Sequence, residues 1–89
     1  MTNKEKEILK SNYQQKYLRL QYVKECSEQG IKGWTKADYK ELAARVTGYR
    51  IALIDLLEVN KKQGTGYIVV EQWEQEIMEW QKQIEKQAQ

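Results

Sequence analysis

Apolar residues recur along this chain at spacings of three and four, the period of one face of a helix, over three separate stretches. The middle stretch is the clearest. Tyr39, Leu42, Val46, Tyr49, Leu53 and Leu56 step alternately by three and four, and Ala43, Ile54 and Leu57 widen the stripe. Towards the end of the chain Val70, Trp73, Ile77, Trp80 and Ile84 repeat the rhythm, flanked by Val69. The first stretch carries two stripes. Leu9, Tyr13, Tyr17, Leu20 and Val23 form one, and Ile8, Leu18, Tyr22 and Cys26 lie roughly opposite at about 100° per residue. A helix that is apolar on two sides needs two neighbours. Both can come from its own chain, or one from a second copy.

Glycines and caps set the boundaries. Gly30-Ile-Lys-Gly33-Trp34 and Gly64-Thr-Gly66 both read as helix terminators, because glycine enters the left-handed region without steric cost. Thr2 with Glu5, and Thr35 with Asp38, have capping-box spacing ahead of helical stretches. These signals predict helices at about residues 3–29, 36–62 and 68–87. The first two would each run about 40 Å at 1.5 Å per residue. Equal lengths and a short glycine-bearing connection predict an antiparallel hairpin with a third helix folded along it. The expectation is an all-α three-helix bundle, with pairing into a homodimer as the alternative.

Composition supports that fold. With 89 residues the chain is read as one domain with a thin core. It has 40% hydrophobic and 31% charged residues, a globular rather than disordered balance. Proline is absent and helix formers dominate, which argues against a β-rich fold. No segment approaches the ~20 apolar residues of a membrane span, and the first residues carry no apolar run of a signal peptide. With a single cysteine besides, the protein is expected in the cytoplasm, away from membranes.

The chemistry that is missing narrows function. There is no histidine, which removes the commonest general base and metal ligand. One cysteine without histidine cannot build a tetrahedral zinc site, and Cys26 reads first as a small buried hydrophobe. Glu71 with Glu74, and Glu76 with Glu79, are paired carboxylates on what should be the solvent side of an amphipathic helix. In length and helix number the chain is similar to the helical chorismate mutases, whose site of arginines and lysines would draw here on Arg19, Arg45 and Arg50. Its residues do not align to that family's pattern, and fold alone does not carry function. The expected protein is not an enzyme and holds no cofactor or metal.

Binding remains. The leading reading is a non-catalytic protein–protein binding module, a small adaptor, inhibitor or regulatory subunit. It would use Ile8, Leu18, Tyr22 and Cys26 on the first helix, rimmed by Lys4 and Arg19. The alternative is a small nucleic-acid-binding regulator using Arg45, Arg50, Lys61 and Lys62, with a helix-turn-helix-like segment at 38–57 and Gly48 at its turn. Two observations count against that segment. The apolar rhythm runs through Thr47-Gly48 without a phase break, and Asp55 and Glu58 would face phosphates.

Weaker signals have plainer explanations. Gly30-Ile-Lys-Gly33 has the GxxG form that clamps RNA in KH domains, but only 67–70 could supply a strand. Lys61-Lys62-Gln-Gly64-Thr-Gly66 could hold a phosphate on its amides, although it follows a helix rather than a strand. Trp73 and Trp80 share one stripe and read as core before contact surface. Trp34 either plugs the end of the bundle or faces a partner. The charge is asymmetric: residues 67–89 hold two Lys/Arg against five Asp/Glu within a chain of net +2. In general look the chain resembles small accessory proteins of bacteria and their phages. That likeness of composition, carried by no defined motif, implies binding to a host factor.

Overall fold

The computed structural model describes residues 2–58 and 64–88. Three helices make up the described structure: α1 (Asn3–Gln29), α2 (Lys36–Glu58) and α3 (Thr65–Ala88). No strand occurs among the described residues, and the all-α expectation holds. Residues 59–62, expected to finish α2, lie outside the described residues. Two expectations need correction. Residues 38–57 are not a helix-turn-helix, because Thr47 and Gly48 sit inside one uninterrupted α2. Residues 67–70 are helical, and α3 starts at Thr65 rather than 68.

The two capping signals form as hydrogen bonds. Thr2 Oγ1 accepts from the Glu5 N–H at 3.1 Å and donates to the Glu5 carboxylate. At α2 the box is reciprocal. The Asp38 N–H donates to Thr35 Oγ1 at 3.2 Å, and Asp38 Oδ2 accepts from the Thr35 N–H at 3.1 Å. Each satisfies amides that a helix start leaves without partners. The α1 end is closed by Gly30 in the left-handed region (φ 67°), with the Gly30 and Ile31 N–H groups both donating to the Cys26 carbonyl.

The chain divides into two compact units, Met1–Ala52 and Leu53–Gln89, and the division falls within α2. In the first unit α1 and the start of α2 run antiparallel. Tyr13 stacks on Tyr49 with ring centres 6.2 Å apart, while Arg19, further along α1, shares a groove with Leu42 and Arg45, further back along α2. Tyr13, Val23, Cys26 and Val46 are its buried apolar residues. Tyr17 tilts against Tyr13 at 6.1 Å, a spacing typical of favourable ring pairs.

In the second unit, the last turns of α2 and the part of α3 up to Ile77 supply the buried residues Leu53, Leu57, Val70, Trp73 and Ile77. Gly66 is buried in the first turn of α3, close against Ile54 and Glu58. A side chain there would run into the Ile54 carbonyl oxygen and come within 2.7 Å of Glu58 Cγ. The expectation that Gly66 ends a helix is therefore overturned: its missing side chain serves a close approach. Gly64 does take a left-handed conformation (φ 93°), and its N–H donates to Glu58 Oε1 at 2.9 Å.

Candidate functional site

The residues proposed on the outer side of α1 do not form one patch. Ile8 and Tyr22 are exposed (53% and 44%), Leu18 is half-buried, and Cys26 is buried at 3%. Cys26 thus takes the core role expected of an isolated thiol, and its side chain is not offered at the surface. Lys4 and Arg19 are exposed, but the polar residues Ser11 and Gln15 are exposed on the same side of α1 as Ile8 and Tyr22. Tyr22 already has a neighbour. Lys32 Nζ lies 5.3 Å from its ring centre, and the Tyr22 phenol raises the Lys32 pKa above the ordinary lysine value, chiefly through a hydrogen bond. Lys32 itself holds a left-handed backbone (φ 57°) between Gly30 and Gly33, which turn the chain from α1 to α2.

The structure instead gathers a groove between α1 and α2 within the first unit. Lys16, Arg19, Leu42, Arg45, Val46 and Tyr49 line about 310 Å³. Its floor comes from the α2 stripe and its cations from both helices. Lys16 Nζ sits over the Tyr49 ring at 5.0 Å. Neither Lys16 nor Arg19 has a carboxylate partner among the described residues. Arg45 pairs with Glu41 at 2.8 Å across one helical turn, and both side chains are well exposed, so the pair contributes only about 0.3–0.5 kcal/mol. A second hollow of about 170 Å³ adjoins, sharing Arg19, Leu42 and Arg45 and adding Trp34, Asp38 and Glu41. Trp34, half-buried, lines this second hollow.

Of the residues proposed for nucleic acid, Arg45 reaches this groove, Arg50 is half-buried, and Lys61 and Lys62 lie outside the described residues. The Gly64 amide, a candidate phosphate donor, is occupied by the Glu58 carboxylate. Sequence reasoning missed Lys16 and Tyr49, and it put Arg19 and Arg45 together only through the likeness to helical chorismate mutases. The signal for the groove is the antiparallel register that sets Tyr13 against Tyr49, which periodicity does not supply.

On α3 the stripe that reads as continuous in sequence divides in two. Trp73 and Ile77 are 8% and 2% exposed, while Trp80 and Ile84, next on the same row, are 46% and 43% exposed. Glu71, Glu76 and Glu79 are exposed, as a solvated face requires, whereas Glu74 is half-buried. Among the described residues no cluster of three potential metal ligands occurs, and no helix is long and apolar enough to cross a membrane. The described residues thus form an all-α arrangement of three helices, with a basic, apolar-floored groove in one unit and an exposed Trp–Ile pair in the other. No protein-family model, curated protein or solved structure matches the chain.

Proposed function

We propose that this is a non-catalytic protein–protein binding module, a small helical adaptor, inhibitor or regulatory subunit that acts in the cytoplasm. One observation carries the reading: the apolar row of α3 continues past its buried part as exposed Trp80 and Ile84. Leaving nearly half of a large aromatic and of a β-branched residue in water forgoes only part of the roughly 1.5–3 kcal/mol that complete burial of such a side chain supplies, on the order of 1 kcal/mol each. Trp is also among the residues most enriched at the energetic centres of interfaces. The row is flanked there by the amides Gln81 and Gln83.

The test is affinity capture from cells that express the chain, with wild type, Trp80→Glu and Ile84→Glu as baits and circular dichroism as a check of folding. The reading expects a protein retained in stoichiometric amount by wild type and lost from both folded variants. A second copy of the chain would show as a change in sedimentation mass and counts as such a protein. Retention that is equal across all three baits, or no protein retained by wild type, contradicts the reading.

A further inference from the structure

The groove between α1 and α2 carries a chemistry that the exposed face of α3 lacks. Its floor, Leu42, Val46 and Tyr49, is apolar, and its rim holds Lys16, Arg19 and Arg45. Two of those cations are uncommitted to any described carboxylate, and they stand three residues apart on α1, so they project to neighbouring positions. At about 310 Å³ the groove is at the small end of ligand clefts, with room for a large side chain and its neighbour rather than a cofactor. An anion that also brings apolar side chains would satisfy both parts at once. Its carboxylates would meet Arg19 and Lys16 by charge-assisted hydrogen bonds, and its apolar groups would lie along Leu42 and the parts of Val46 and Tyr49 that still line the groove.

The geometry points to this groove as the seat of an acidic segment of a partner protein, one in which Asp or Glu alternates with large apolar residues. The assignment rests on the protein-binding reading and names the chemistry of the partner. A nucleic-acid strand fits less well. Phosphates need a track of cations, whereas Asp38 and Glu41 stand in the adjoining hollow and Glu41 already holds Arg45. An apolar floor also gives phosphates and sugars nothing to pair with.

The experiment uses the full chain and fluorescein-labelled peptides of one length. The probe peptide is Glu-Leu-Asp-Leu-Trp-Glu-Leu-Glu. One control replaces its acids by Lys, and a second replaces its apolar residues by Ser. A mixed-sequence DNA duplex serves as competitor. The assignment predicts that anisotropy reports the acidic–apolar peptide bound about tenfold or more tightly than either control. It also predicts that the preference disappears in Lys16→Glu/Arg19→Glu, and in the milder Lys16→Gln/Arg19→Gln should the first fail to fold. Both positions are exposed, so helicity should persist. Equal affinity for the three peptides, or displacement of the probe by DNA at lower concentration than by unlabelled peptide, overturns the groove. If the peptides show no preference while the Lys16/Arg19 variants still capture a protein through Trp80 and Ile84, only the groove assignment falls. Loss of capture by Trp80→Glu and Ile84→Glu would still stand as separate support for the protein-binding reading.

Discussion

Gly66, Val70, Trp73 and Ile77 follow one another along a single row of α3, and Trp80 and Ile84 prolong that row by two more turns. The first four are buried and the last two are not. The helix is the same and so is the period, so neither propensity nor amphipathicity explains the change. Within its own unit α3 meets the described end of α2, Leu53–Glu58, at its first turn. α3 itself has 24 residues, or about 36 Å. Gly66 lets the two backbones come close where they meet, at Ile54 and Glu58. Periodicity therefore reports which side of a helix is apolar, but not how much of that side becomes core.

Four substitutions probe this contrast. The largest effect is expected from Trp73→Ala, which removes a buried ring and leaves a cavity, costing about 3–5 kcal/mol in urea unfolding. Gly66→Ala comes next, at about 1–3 kcal/mol, because the carbonyl of Ile54 is backbone and cannot swing aside as a side chain would. Gly48→Ala should do the opposite. This glycine lies in mid-helix with nothing within 4 Å of an added methyl, so alanine should stabilise by about 1 kcal/mol. A clearly smaller cost than at Trp73, on the order of 1 kcal/mol, is expected at Trp80→Ala in the same unfolding assay, since 46% of the residue is already exposed. A cost at Trp80 close to that at Trp73 would erase the distinction between the two halves of the row.

Much of the fold is legible in the sequence because it is locally encoded. Thr2 with Glu5, Thr35 with Asp38, and Gly30 mark the ends of α1 and the start of α2, and each works through hydrogen bonds that span only a few residues. The start of α3 reads wrongly because a glycine that permits close packing and one that permits a turn look identical in sequence. Gly64 and Gly66 are two residues apart and serve one purpose each. Leu56 shows a related limit: it keeps the rhythm of α2 yet is exposed, while Leu57 beside it is buried.

The candidate sites were less legible for the same reason. Ile8, Leu18, Tyr22 and Cys26 share a side of α1 by angle, but angle alone does not reveal that Cys26 is covered or that Lys32 stands over Tyr22. Arg19 and Arg45 are 26 positions apart, and only the register of the hairpin brings them to one groove. Their meeting is a tertiary fact with no local signature.

The most direct measurement is acrylamide quenching of tryptophan fluorescence in two single-tryptophan chains. One keeps Trp73 in a Trp34→Phe/Trp80→Phe background, and the other keeps Trp80 in a Trp34→Phe/Trp73→Phe background. The account predicts that Trp80 is quenched several-fold more strongly than Trp73 in the free chain, and that it becomes protected when a captured partner is added. Equal protection of the two rings in the free chain would contradict it, because the apolar row would then be core along its whole length.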